Sequence, residues 1–281
     1  MLEKLPKKPV ALCSLLVLGA LALTELGSAV AAPPSPVLSS AAIDSGERCQ
    51  FLPHSGKGLD SRGFTLFNWN IKKGSIANWD RDLLSLAADA DLVLIQEATK
   101  QMETPRFVEV DEHWSFSEGY SSGELVSGVA TISSVQPMEQ CRLLTVEPWL
   151  RTPKATMVTR FAIEGSSDTL LVINTHMVNF TLGHAAFREQ LAEVEQLLLQ
   201  HSGPVVFSGD FNTWRPARYE ILEKMTARFG LNPIAFNDDN RTKFFGSTVD
   251  HVFVGGLSVQ QAMTFEVESS DHNPMSVSLM L

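Results

Sequence analysis

An α/β fold in one domain is the reading of this sequence, and three observations carry it. Short apolar, β-branched runs recur along the chain, in the manner of buried strands. Amphipathic helical stretches separate several of them. Strand after strand stops on a carboxylate, an amide or an imidazole. The 281 residues permit one large domain or two small ones, and an apolar content of 44% is enough for a substantial core.

The first 31 residues stand apart. Lys4, Lys7 and Lys8 precede an apolar run from Pro9 to Leu23, and Ser28-Ala29-Val30-Ala31-Ala32 follows. That order of basic region, apolar region and small-x-small site predicts an export signal cut near Ala31 or Ala32. The rival, a retained N-terminal anchor, needs a longer span than this run offers before Thr24-Glu25 ends it. Cys13 follows Leu12 rather than a small residue, which argues against a lipid-modified N-terminus. Export predicts a periplasmic or extracellular location, with no stable membrane insertion after cleavage.

Removing residues 1–31 takes three lysines and two glutamates and leaves 19 basic against 30 acidic residues, net −11. Such a surface does not hold long nucleic acid by charge alone, so a phosphate substrate must be attracted locally or through a cation. Cys49 and Cys141 remain, and an exported chain can pair them; the sequence leaves open whether they meet.

Residues 32–61, rich in Pro, Ser and Gly, read as a linker or irregular lead-in, and 62–281 as the folded domain. Phe64 to Asn70 alternates like a strand and ends on amides. Asp80 to Ala90 reads as a short amphipathic helix, and Asp91 to Ile95 as a strand running into Gln96-Glu97. Phe107 to Tyr120, aromatic and acidic, reads as a loop. Val126 to Ile132 and Thr156 to Ile163 are strands around a Pro-containing segment, and Thr169 to Thr175 is a strand meeting His176. Gly183 to His201 is the clearest helix, with Phe187, Leu191, Val194 and Leu198 at helical spacing. Pro204 to Phe207 is a buried strand that stops at Ser208-Gly209, and Asp210 and Asn212 follow. Pro216 to Phe229 is a helix; Val249 to Val254 and Met275 to Leu279 are the last strands.

The polar ends are where chemistry gathers. Asn70, Glu97, His176, Asp210 with Asn212, Asp250, and Asp271-His272 all sit at such positions. One instance is an ordinary turn or cap; six are hard to explain by capping. Their hard oxygens suit Mg²⁺, Mn²⁺ or Ca²⁺, and their imidazoles can carry protons near neutral pH. No zinc-like Cys/His spacing, Walker loop or G-x-S-x-G elbow is present.

The phrases NWN at 68–70, LIQEAT at 94–99, NTH at 174–176, SGDFNTW at 208–214 and SDHNP at 270–274 resemble the endonuclease/exonuclease/phosphatase superfamily, in family order. INTHMVNFTLG, HSGPVVFSGDFNTW and FGSTVDHVFV are most similar to its YafD-like bacterial branch. The resemblance covers 64–281 and implies a four-layer α/β sandwich of the DNase I-like kind, two packed mixed β-sheets with helices outside.

It also implies roles. Glu97 would be the main metal ligand, with Asn70 beside it and Asp271 assisting the metal or its waters. Asp210 would orient or activate the attacking water. Asn212 and Asn174 would bind substrate. His272, held by Asp250, would contact the scissile phosphate, and His176 would face that phosphate or the leaving group. Asn68, Trp69, His184, His201 and His251 read as structural, and Lys72, Lys73, Arg241 and Lys243 as substrate contacts or solvated charges.

The expected activity is a Mg²⁺-dependent phosphodiesterase, acting as a monomer. Nucleic acid is the expected substrate, because His176 groups the chain with DNase I. A phospholipid or sphingomyelin headgroup is the rival, met by an aromatic lip of Phe107, Trp114, Phe116 and Tyr120. A binding protein that has lost turnover would lack one of the principal residues, and none is missing.

Overall fold

The computed structural model describes residues 48–53, 56–103 and 112–281. The predicted signal at 1–31, most of the lead-in, and Phe107 lie outside them. Fifteen strands and three α-helices follow in order among the described residues. The strands are β1 (Cys49–Phe51), β2 (Phe64–Asn70), β3 (Leu92–Thr99), β4 (His113–Ser122), β5 (Leu125–Ser133), β6 (Glu139–Val146), β7 (Pro153–Ala162) and β8 (Thr169–His176). They continue with β9 (Val205–Asp210), β10 (Asn232–Pro233), β11 (Lys243–Phe244), β12 (Ser247–Thr248), β13 (Asp250–Gly255), β14 (Ser258–Thr264) and β15 (Met275–Met280). The helices are α1 (Trp79–Leu86), between β2 and β3, α2 (Ala185–Leu198), between β8 and β9, and α3 (Pro216–Arg228), after β9.

One sheet has the order β1-β6-β7-β8-β9-β13-β10, the other β14-β15-β2-β3-β5-β4, and β11-β12 form a small hairpin. Each large sheet is mixed: β8 and β9 are parallel in the first, β2 and β3 in the second, and the other pairings are antiparallel.

The side-chain period of two sorts the strands into layers. Phe64 and Leu66 of β2, Leu92 and Leu94 of β3, Leu170 and Val172 of β8, Val206 of β9 and Val252 of β13 meet in one core between the sheets. Their alternate neighbours Phe67, Trp69, Val93 and Ile95 pack outward with Leu83 of α1. Ile173, Phe207 and Phe253 pack outward on the other side, against Phe187, Leu191, Val194 and Leu198 of α2 and Leu222 and Met225 of α3. The result is the four-layer sandwich, helix on sheet on sheet on helix. Each fully buried ring, such as Phe207, contributes about 1.5–3 kcal/mol of burial.

Several elements depart from the sequence reading. The lead-in is not wholly irregular: β1 pairs with β6 in the register Cys49↔Cys141, and those cysteines form a disulfide. Leu59 is buried and bridges to Ile163. The segment read as an aromatic loop carries β4, whose Ser115, Phe116 and Ser117 are buried against β5. Serines in place of β-branched residues hid its period. Phe116 is buried in the core beneath that sheet and Trp114, half-buried, packs against it, so among the described residues of the proposed lip Tyr120 is the exposed ring. Strand β14 escaped detection because it is an edge strand, polar and largely exposed. Strand β3 runs past Ile95 to Thr99, with a bulge between Gln96 and Ala98 that carries Glu97.

Candidate active site

Parallel pairing brings the C-terminal ends of β2 and β3, and of β8 and β9, to one edge of the sandwich. Along β2, β8 and β9 the inward positions continue in steps of two to Asn70, His176 and Asp210. Registers complete the gathering: His176 lies opposite Asp210, Asp210 opposite Asp250, and Asn70 opposite Gln96. Close approach of β9 to β8 requires Gly209, with φ 146°, where a Cβ would fall 1.9 Å from the Thr175 carbonyl oxygen.

Asp210 is the hub. Its Oδ2 accepts from Asn70 Nδ2 at 3.0 Å and faces His176 Nε2 at 3.5 Å and His272 Nε2 at 3.9 Å. Its Oδ1 accepts from the Asn212 backbone N–H at 2.9 Å, and Asn212, with φ 51°, donates its amide to the Met177 carbonyl at 3.0 Å. His272 is fixed from three sides. Its Nδ1 lies 2.8 Å from Asp250 Oδ2, its backbone N–H donates to Ser270 Oγ, and its carbonyl accepts from the Trp69 indole at 2.7 Å.

The charges divide by environment. Burial pushes the Asp210 carboxyl up to about 6, with the Asp250 charge adding to it, although His272 pulls the other way. Burial opposes a charged His272, but Asp250 in hydrogen-bond contact, with Asp210 behind, outweighs it and raises the imidazole to about 10. His176 moves well below its ordinary value through burial and the nearby charges of Lys154, His272 and Lys73. It is therefore neutral, and its Nε2 accepts from the Lys154 ammonium at 2.8 Å, which leaves the proton on Nδ1. Two imidazoles beside one carboxylate thus hold different charge states, one neutral and one cationic.

Glu97 sits at the bulge with φ 52° and pairs with the ammonium of Lys73, itself at φ 59°. A non-glycine residue in this conformation costs about 1–2 kcal/mol. Glu97, Lys73, Lys154 and His176 line one cavity of about 250 Å³, walled by Tyr120, Leu150 and Phe180. Glu147, buried at the root of that wall, accepts from Thr152 Oγ1 and from the Asn179 and Phe180 backbone N–H groups, which ties two rim loops together.

The donor set fits a hard divalent cation. Glu97 and Asn70 offer oxygen ligands, and a lysine ammonium already sits on the Glu97 carboxylate, where a positive charge is accommodated. Asp210 and Asp250 bring further carboxylate oxygens within 4.8 Å of one another, and Asp250 Oδ1 is buried with no hydrogen-bond partner.

Two expected site residues lie elsewhere. Asn174 is fully buried one step inside the centre. Its Oδ1 accepts from Gln96 Nε2 at 2.7 Å and its Nδ2 donates to the Ala130 carbonyl at 2.8 Å, so its polar atoms are bonded inside the protein and do not face substrate. Asp271 is 43% exposed and paired with Lys72 at 3.0 Å, outside the buried cluster. Both residues lie in the bend before β15, where the Asp271 carboxylate reaches Lys72 while the His272 imidazole meets Asp250.

Of the residues read as structural, Asn68, His251 and His201 are bonded within the protein. Asn68 joins Gln96 and Ser208 beneath the centre. His251 is buried behind Asp250 against Thr213, held far below its ordinary value, to about 3, by burial and Arg241. His201 bonds Pro204 and Arg160. The missed residues are Lys154, Glu147 and Phe244, whose ring lies 5.6 Å from His272. Their signal would have been the register of β7 on β8 and the path of two loops, neither visible in local pattern.

Comparison with known proteins agrees with this fold. The model of the Endonuclease/Exonuclease/phosphatase family matches residues 67–272. A UPF0294 protein of Vibrio parahaemolyticus is 38% identical over 229 residues, 80% of this chain and 81% of its own. Among solved structures, an endonuclease/exonuclease/phosphatase from Beutenbergia cavernae aligns with TM-score 0.61 at 16% identity, covering 78% of this chain and 72% of its own. The human Nocturnin catalytic domain, solved with a bound sulfate anion, aligns with TM-score 0.63 at 16% identity, covering 79% and 95%.

Proposed function

This chain belongs to the endonuclease/exonuclease/phosphatase family, whose members are phosphoester-cleaving hydrolases that generally use a divalent metal, and from that premise we propose an exported, Mg²⁺-dependent phosphodiesterase acting on nucleic acid. The observation that carries this reading is the convergence of His176 and His272 on one oxygen of Asp210, at 3.5 and 3.9 Å, with Asp250 2.8 Å behind His272. A general base, a phosphate-facing cation and a neutral proton carrier then meet in one buried cluster.

Glu97 and Asn70 would hold the cation, which supplies charge stabilisation for the developing phosphorane. Asp210 as carboxylate orients water and takes its proton as oxygen attacks phosphorus. His272, kept charged by Asp250, donates to a non-bridging phosphate oxygen, whose charge grows along the reaction. Asn212 has a second amide hydrogen free for the same oxygen set. As the bond from phosphorus to the leaving oxygen breaks, that oxygen takes up a proton delivered through His176 from the Lys154 ammonium and departs as the alcohol. The disulfide Cys49–Cys141 fits an oxidising compartment, in support of export. Among the described residues no helix is long and apolar enough to cross a membrane.

The test is hydrolysis by the purified chain with Mg²⁺ or Mn²⁺ and with EDTA, on plasmid DNA, sphingomyelin and bis-p-nitrophenyl phosphate, alongside His176→Ala. Metal-dependent nicking that the variant loses is the expected result. Cleavage of sphingomyelin alone would move the substrate to lipid. No turnover of any of the three, with Mg²⁺ or Mn²⁺ present, would overturn the enzyme reading.

A further inference from the structure

Six aromatic side chains are exposed among the described residues, and five of them surround the centre just described. Tyr120 and Phe180 wall the cavity that contains His176, and Trp149, 62% exposed, stands in the turn that supplies Leu150 to the same wall. On the His272 side, Phe244 lies 5.6 Å from the imidazole, and Phe245 stands 5.8 Å from the Trp214 ring. Only Phe51, on the far edge strand β1, is exposed elsewhere.

Phe245 is the most telling. It occupies the tip of the β11–β12 hairpin, where Phe244 pairs with Ser247 and the two loop residues, Phe245 and Gly246, both have positive φ, 51° and 83°. Such a turn is ordinarily built from Asn and Gly, because a bulky residue there is strained. Here the strain holds a phenyl ring 90% exposed, with no burial to offset it. Strain kept at a surface position beside a reactive centre points to a ligand.

Each bank carries fixed positive charge. Lys73 and Lys154 line the cavity with Tyr120 and Phe180. Arg151 follows Trp149-Leu150, Lys243 precedes Phe244, and the Arg215 guanidinium lies 4.4 Å over Trp214. Flat rings with cations between them, on a chain of net charge −10, do not suit a duplex, whose bases are stacked inside and whose grip on protein is mostly through charge. They suit a strand whose bases are free to stack and whose phosphates pass between.

Resting on the phosphodiesterase reading above, we infer that the substrate is single-stranded nucleic acid, drawn across the centre with unpaired bases stacked on the Tyr120–Trp149–Phe180 bank and on the Phe244–Phe245 hairpin. The aromatic hairpin sets the position of the cleaved phosphate relative to the bases.

The experiment is fluorescence anisotropy of labelled oligothymidylate, alone or annealed to oligoadenylate, with the full chain in EDTA. The single strand binds more tightly than the duplex. Phe245→Ala and Phe180→Ala each weaken single-strand binding about tenfold, the size of one base–aromatic stack. Phe51→Ala leaves it unchanged. Equal or tighter binding of duplex, or no effect of either rim substitution, overturns the inference. So does sedimentation with phosphatidylcholine vesicles that is lost in the same two variants while oligonucleotide binding is absent. Metal-dependent hydrolysis of bis-p-nitrophenyl phosphate by the same preparation separates the failures: if it persists, only the single-strand substrate falls, and if it is absent, the phosphodiesterase reading falls first.

Discussion

Two layers of polar side chains lie one step apart on the same strands, and they have opposite characters. The inner layer is Asn68 of β2, Gln96 of β3, Asn174 of β8 and Ser208 of β9. Gln96 donates to both Asn68 and Asn174, Ser208 donates to Asn68, and Asn174 donates across to β5, so the layer is closed on itself. The outer layer, two residues further along β2, β8 and β9, is Asn70, His176 and Asp210. Here the contacts to Asp210 are long, 3.5 and 3.9 Å to the imidazoles, and the charges are displaced from their usual values. A buried amide network that satisfies itself specifies how two sheets meet. A buried carboxylate left between imidazoles keeps capacity for a proton and an anion. One strand serves both ends because its inward positions pass from apolar to amide to ionisable before reaching solvent.

The sharpest break in that comparison is His272→Ala. It removes the cation facing the phosphate, and loss of one such preorganised donor costs about 10²–10³ in kcat. Asp250→Asn is expected to fall nearly as far, since the amide no longer holds the imidazole charged, although His272 remains in place. Both are read by initial rates on bis-p-nitrophenyl phosphate. Full activity of Asp250→Asn across pH 6–9 would show that the pair does not act as a unit.

How far these layers could be read from sequence follows from the same geometry. The strand ends announce Asn70, His176 and Asp210, because an apolar run stopping on a polar residue is a local pattern, whereas Asp250 opens β13 and reaches the centre through its register with Asp210. The layer to which each amide belongs depends on register, and NTH at 174–176 offers two polar ends of which only His176 is outermost. Asn174 was therefore assigned one step too far out. Glu97 is legible from the strand that runs into it and from LIQEAT, and although it breaks alternation the bulge at Gln96–Ala98 turns it to the cavity. Lys154 is not legible, since its partner lies on β8, 22 residues away, and nothing near it in sequence marks the contact. The fold was legible as α/β from pattern, and its four layers only through resemblance, because β4, β6 and β14 carry serine, glutamine or exposed residues where a strand period would show.

A second test is the pH profile, which separates the layers because only the outer one titrates. Asp210 must be a carboxylate to accept a proton from water, and burial raises it to about 6, so activity climbs as pH rises through that value. His272 must stay charged, and it is raised to about 10, so activity falls only as pH approaches that value. Below the lower limb the rate drops about tenfold per pH unit. A bound cation would move the lower limb to more acid pH by favouring the carboxylate. A rate with no lower limb down to about pH 4, the ordinary carboxylate range, would remove Asp210 as the base. In His176→Ala the residual rate on bis-p-nitrophenyl phosphate keeps both limbs, because His176 is neutral throughout and neither limb belongs to it.

The smallest effect on turnover, and the one that sharpens the comparison most, is expected of Asn174→Ala. The substitution leaves Gln96 Nε2 and the Ala130 carbonyl without that partner in a buried seam, and each orphaned group costs about 1–3 kcal/mol. For a domain of this size each kcal/mol lowers Tm by about 2–4 °C, so thermal unfolding should show the change plainly. Turnover per folded molecule should stay within about threefold of the parent at a temperature well below the new Tm, because no polar atom of Asn174 faces the cavity. The reverse pattern, an unchanged Tm with activity lost as in His272→Ala, would move Asn174 into the outer layer and dissolve the distinction between a seam that holds the sheets and a centre that works on substrate.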